Sequence, residues 1–147
     1  MGSTLSPEDE AQLKDMIARH QRVRSKLSAT DRATLDKLTE QVKTRLLPIP
    51  SGKNMLASTG QIINETIPGL APSEQRALAE YCLGGIAAGD IGNKMDSKPM
   101  QEMQMSFNLQ YLQLQSQMQN ENRSYTAVSN IMKSKHDTVK NSISNVR

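Results

Sequence analysis

The last third of the sequence, residues 100–147, contains neither proline nor glycine, the two residues that most often interrupt a helix. Its apolar side chains recur at alternating steps of four and three residues, which places them along one side of a helix. This seam comprises Met103, Phe107, Tyr111, Leu114, Met118, Tyr125, Val128, Met132, Val139 and Val146. A second apolar stripe flanks only the first half and consists of Met105, Leu109 and Leu112. The pattern predicts one amphipathic helix from Pro99 to Arg147, with its first half buried on two sides.

The length of this predicted helix indicates whether one chain could bury it. It would be roughly 70 Å long, whereas a compact domain of 147 residues is only about 40 Å across. Either the helix breaks near Asn120–Asn122, or other molecules cover its outer half. We favour the second alternative, which makes this helix an assembly element. A structure in which the segment folds back and is covered entirely by its own chain would remove this argument.

The remainder of the sequence predicts four shorter helices and no strand, so the expected fold class is all-α. Residues 1–47 are interpreted as an N-terminal αα-hairpin, because Ser6 and Ser28 each stand where a helix cap is expected. Residues 48–98 are expected to form two short middle helices and a Gly-rich linker. Residues 99–147 are the long C-terminal assembly helix.

The sequence offers little catalytic chemistry. Cys82 is the single cysteine, so it can form neither an internal disulfide nor a cysteine-based metal site. His20 and His136 are far apart, with no cysteine or carboxylate at ligand spacing. Soft sulfur ligands for copper(I) could come from Met95, Met100, Met103 and Met105. Methionines at helical spacing are more typical of adaptable packing, so we expect no enzyme activity, cofactor or metal.

Charge and hydropathy limit the partners. The net charge of +3 is spread thinly, without a basic tract, so we expect no nucleic-acid binding. No apolar run is long enough to predict a membrane span. The N-terminus lacks a basic start followed by an apolar core, so we expect no cleaved signal peptide. The chain is then either cytoplasmic, or exported or on the cell surface by a route that needs no such signal.

The last nineteen residues resemble the C-terminal tail of type III secretion needle subunits. The matching residues are Ser129, Asn130, Lys133, Asp137, Ile143, Asn145 and Arg147. Needle subunits are small helical proteins that polymerise into a hollow exported filament whose bore is lined by the C-terminal helix. The resemblance implies that Lys133, Asp137, Asn145 and Arg147 lie in a lumen or tail. Needle subunits are much shorter, and residues 1–98 have no counterpart in them.

These observations predict a structural, self-assembling subunit, in the form of an exported bacterial filament or secretion needle, that polymerises through its C-terminal helix. The expected interface comprises Phe107, Tyr111, Leu114, Met118, Tyr125, Val128, Met132, Val139, Ile143 and Val146. The expected partners are copies of the chain, in a homo-oligomer or helical polymer, together with an export chaperone.

Two alternatives remain open. In the first, the chain is a cytosolic adaptor or chaperone-like module whose Met-rich and Gln-rich helix binds a partner. In the other, it is an enzyme or metal carrier that uses Cys82, the histidines or the methionines.

Overall fold

The computed structural model describes residues 5–47, 54–89 and 98–145, and within these ranges the chain is all-α, without strands. The helices are α1 (Pro7–Lys26), α2 (Ala29–Leu46), α3 (Met55–Thr66), α4 (Pro72–Ala88), α5 (Lys98–Gln113), α6 (Glu121–Ser134) and α7 (His136–Asn145), with a 3-10 turn at Gln115–Gln117. The predicted Pro48–Gly52 loop falls outside the described residues, as does nearly all of the predicted turn and linker over residues 89–98.

The helix starts follow from local sequence. The Ser6 hydroxyl accepts a hydrogen bond from the Asp9 amide, and Ser28 does the same for Asp31, each at 3.1 Å. Such caps satisfy amides that have no partner inside the helix. The predicted starts of the first two helices are therefore confirmed.

Helix α4 is the centre of the bundle. Every residue from Ala77 to Gly84 is buried, and α1, α2, α3, α5 and α6 all pack around it. Helix α7 packs against α2 and α6. One continuous hydrophobic core includes residues from Leu13 to Ile143, so all three predicted segments contribute to it.

The predicted antiparallel pairing of the first two helices is not confirmed. Helices α1 and α2 are joined by only Leu27 and Ser28, but α1 packs mainly against α4 and α6, and α2 packs mainly against α4 and α3. Two glycines of α4 allow this close approach. A Cβ on Gly84 would lie 2.6–2.9 Å from His20 of α1, and a Cβ on Gly85 would lie 3.0 Å from Thr39 of α2. The two helices therefore pack more extensively on α4 than on each other, although Arg24 of α1 lies 2.6 Å from Asp36 of α2.

The prediction of a single C-terminal helix is wrong. The helix is interrupted between Gln113 and Glu121. Two residues of α4 hold this break. The Glu80 carboxylate accepts a hydrogen bond from the Gln119 amide at 3.0 Å, and the Arg76 guanidinium donates to the Gln117 carbonyl. Asn120 then caps α6, because its side-chain oxygen accepts from the Arg123 amide at 2.9 Å. Backbone groups that would bond within one long helix are thus satisfied by α4 and by the new cap.

A second bend separates α6 from α7 at Lys135, whose φ of −131° and ψ of 24° are not helical. Its ammonium group lies 2.7 Å from the Glu74 carboxylate and 3.4 Å from the Gly69 carbonyl oxygen. The bend is therefore attached to the corner between α3 and α4. With two breaks, the terminal segment fits within one compact bundle.

The contact between His20 and α4 also sets the charge state of this histidine. Its ring packs edge-to-face on Tyr81, with ring centroids 4.8 Å apart. Burial, reinforced by the nearby Arg24 charge and opposed by Asp36, lowers the pKa of His20 from 6.5 to about 4. The imidazole is therefore neutral at physiological pH and serves as a packing group.

We predict that Gly84→Ala destabilises the fold by about 1–3 kcal/mol, because the new methyl group would overlap the His20 ring and its Cβ. Gly60→Ala is the matched control, since a Cβ there meets nothing within 4 Å in the middle of α3. It should stabilise by about 0.5–1 kcal/mol through helix propensity alone. Urea unfolding followed by circular dichroism measures both changes. Equal effects of the two substitutions would contradict the close packing at Gly84.

The His20 pKa predicts a loss of stability in acid. Because the folded pKa lies below the unfolded value, the unfolded chain binds the proton more tightly. The stabilisation is complete above pH 6.5 and decreases as pH falls toward 4, reaching a loss of at most ~2 kcal/mol at pH 5. Glu80 acts in the opposite direction, since burial raises its pKa.

The test is urea unfolding at pH 7 and pH 5 for the natural chain and for His20→Gln, which lacks the titrating ring. The natural chain should lose more stability than the variant between the two pH values. The same pH dependence in both proteins would contradict the role of His20.

Candidate interaction site

The seam residues predicted to form an assembly interface lie mostly inside the chain's own core. The buried members are Phe107, Tyr111, Leu114, Val128, Met132, Val139 and Ile143. Met118 and Tyr125 are partly buried against the same core, and Val146 lies outside the described residues. No second copy is needed to cover the buried members. Their role in assembly stays a prediction.

Core burial holds α5 in place, and ionic contacts hold α6. Phe107 and Tyr111 of α5 are buried in the core. Their rings stack on each other with centroids 5.8 Å apart, and burial raises the pKa of Tyr111. Glu121 at the start of α6 accepts from Arg22 of α1 at 2.9 Å and from Lys26 at 3.4 Å. Both helices are therefore part of the folded monomer.

The tail residues are distributed over two helices. Lys133 near the end of α6 and Asp137 at the start of α7 are exposed. Ile143 is buried, and its carbonyl accepts a hydrogen bond from the Gln41 side chain of α2 at 3.0 Å. Asn145 is the last residue of α7, and Arg147 lies outside the described residues. Two of the four predicted lumen residues thus face solvent in the monomer.

The second apolar stripe is where the structure differs most from expectation. Leu109 is 38% exposed, and it is the one large hydrophobic side chain of the described residues that is this open to solvent. Met105 and Leu112, one turn away on either side, are partly buried, and Leu112 also packs against the core. On a helix these three positions lie opposite the inward side, where Phe107 and Tyr111 are buried. The predicted second buried side is therefore only partly covered, and the stripe presents an outward apolar surface centred on Leu109.

The beginning of α5 is also incompletely covered. Among the described residues, Met103 and Met105 are half-buried and do not pack against the core cluster. The sixteen residues of α5 include only two charged ones, Lys98 and Glu102. Polar positions along the helix are mostly amides, and Gln104 donates to Asn108 at 2.7 Å. We define the α5 surface as the stripe formed by Met105, Leu109 and Leu112.

Among the described residues, the arrangement of Cys82 and the histidines does not support the enzyme or metal-carrier alternative. Cys82 is buried, and burial raises the pKa of its thiol to about 12, so no thiolate forms at neutral pH. His136 lies 4.0 Å from Asp31 and 3.7 Å from Asp137. Within the described ranges, no three histidine, cysteine or carboxylate side chains converge as a metal site would require.

The residues of the α5 surface are recognisable in the sequence as an apolar stripe on the far side of the helix from the main seam. The sequence does not show whether this stripe is exposed. The sequence gives no sign that Arg76 and Glu80 bind the break between α5 and α6, because their partners lie about forty residues away along the chain.

None of the helices that the structure describes has the length and apolar character needed to cross a bilayer. Comparison with protein-family models, with curated proteins and with solved structures found no match.

Proposed function

We propose that this chain is a helical structural subunit that associates with copies of itself through the α5 surface. The observation that carries the proposal is the outward apolar stripe centred on Leu109. Buried apolar side chains are the main source of association energy in such contacts. This stripe offers them on a helix that is already fixed to the bundle through Phe107 and Tyr111.

A second copy is the occupant that the chemistry favours. A foreign partner is usually selected by matching charge, and α5 has almost none to match. A side-chain amide both donates and accepts hydrogen bonds, so an amide-flanked stripe is complementary to itself. A two-fold contact would place the same surface of each copy together, with Leu109 near the centre.

The predicted contact is weak. Met105 to Leu112 spans roughly 10 Å of helix, which is much shorter than the contact between long paired helices. We therefore expect association that depends strongly on concentration, at the lower end of specific interfaces. A two-fold contact closes as a dimer, so larger assemblies would need a second and different surface.

An exported filament would combine this two-fold contact with a second contact that repeats head to tail. Contacts that repeat head to tail without closing produce helical filaments, and the resemblance of residues 129–147 to needle subunits supports this form. The exposure of Lys133 and Asp137 is compatible with a position in a lumen. Polymerisation through α6 and α7 is less favourable, because Val128, Met132 and Val139 would have to leave their own core.

The second candidate function is an adaptor whose α5 surface binds an amphipathic helix of another protein. The half-buried Met103 and Met105 favour it, because methionine adapts its shape to different partners. The same experiment separates the two candidates.

We predict that sedimentation velocity of the natural chain shows an average mass that rises with concentration. Leu109→Glu should weaken the association by at least about 1.5–3 kcal/mol, since it removes a buried leucine and places an unpaired carboxylate in the contact. Both residues favour helix, so the monomer should stay folded. Ala57→Glu is the control, because it adds the same charge at an exposed position of α3 and should leave the association unchanged.

A natural chain that stays monomeric at all concentrations would contradict self-association. If such a monomer binds an amphipathic helical peptide and Leu109→Glu prevents binding, the adaptor is the better description. Equal effects of Leu109→Glu and Ala57→Glu would exclude the α5 surface from either role.

A further inference from the structure

A cleft of about 340 Å³ lies where α1, α2 and the end of α4 meet. It is on different helices from the α5 surface and is independent of the proposed self-association. Its wall is largely polar and includes His20, Arg24, Asp36, Glu40, Thr39 and Tyr81, with the Gly85 backbone. Clefts of this volume are large enough to hold a small organic molecule.

The Tyr81 hydroxyl is the most informative group in the cleft. The residue is only 4% exposed, and no described residue accepts a hydrogen bond from its hydroxyl. The Arg24 guanidinium is near enough to affect it electrostatically. Buried hydroxyls nearly always have a hydrogen-bond partner. The cleft therefore contains an O–H donor for which no described residue provides an acceptor.

Arg24 provides further unused donors. Its Nε and one terminal nitrogen bind Asp36 at 3.3 and 2.6 Å. A guanidinium has five N–H groups, and this pair occupies two of them. Arg24 and Tyr81 together can donate to an oxygen anion such as a carboxylate.

The cleft also offers acceptors for a cation. Asp36 and Glu40 carry carboxylates, of which Glu40 also lies 3.3 Å from the Lys43 ammonium group, and Ala88 and Gly89 bring the C-terminal end of α4 to the wall. Carbonyl groups at a helix C-terminus favour positive charge. With one guanidinium, two carboxylates and a neutral His20, the site disfavours polyanions such as nucleotides. A simple amine would leave the Tyr81 hydroxyl and the remaining Arg24 donors unused.

We propose that this cleft binds a small zwitterion, a free α-amino acid. Its carboxylate would accept hydrogen bonds from the Tyr81 hydroxyl and from Arg24. Its ammonium group would lie toward Asp36, Glu40 and the end of α4. This arrangement satisfies both kinds of charge in the cleft with a ligand that its volume can hold.

The experiment is a titration of the full chain with each of the twenty standard amino acids at millimolar concentration, followed by amide NMR shifts and melting temperature. At least one amino acid should raise the melting temperature and shift the amides of Thr39 and Gly85. Tyr81→Phe removes only the hydroxyl and should weaken binding about tenfold or more. Tyr111→Phe is the matched control, a second buried tyrosine outside this cleft, and should bind as the natural chain does.

Glu40→Gln is a second variant at an exposed position, which keeps the test valid if Tyr81→Phe is poorly folded. It should also weaken binding, because it removes one partner of the ammonium group. If none of the amino acids binds the natural chain, a water molecule is sufficient for Tyr81 and the proposal is wrong. Equal affinities in the natural chain, Tyr81→Phe and Glu40→Gln would likewise overturn it.

Discussion

The structure depends on one constraint, which is that the middle of α4, from Ala77 to Gly84, is buried on every side. A helical segment without a solvent-facing side is stable in water only when other helices surround it. Helices α1, α2 and α3 cover part of α4, and the rest must come from the C-terminal segment. This requirement explains why residues 98–145 fold back as three short helices, because a straight rod could cover α4 along one line only.

Local sequence was sufficient for the parts of the fold that depend on local chemistry. The caps at Ser6 and Ser28 and the all-α class follow from residues within a few positions of each other. The course of the C-terminal segment does not follow from neighbouring residues, because the break between α5 and α6 depends on Glu80 and Arg76 of α4. Asn120 is a residue type that often caps helices. The sequence nevertheless allows a helix to continue through this position, because residues 100–147 contain no proline or glycine that would interrupt it. The packing of α1 and α2 on α4 likewise depends on tertiary contacts at Gly84 and Gly85.

The two candidate sites differ in how far the sequence predicts them. Periodicity identified Met105, Leu109 and Leu112, since they belong to one helix face, but whether that face is covered is decided by the whole bundle. The Tyr81 cleft is built from three helices that are separated in sequence. No spacing rule connects Arg24 and Asp36 with Tyr81, so only the folded chain brings these groups together.

The contact between His20 and Gly84 has a consequence for how this sequence can change over evolutionary time. The ring occupies the space that any side chain at position 84 would need, so the two positions cannot vary independently. A lineage would have to acquire a smaller residue at position 20 before position 84 could accept a side chain. Related chains should therefore show correlated changes at this pair, even though 64 residues separate the two positions along the backbone.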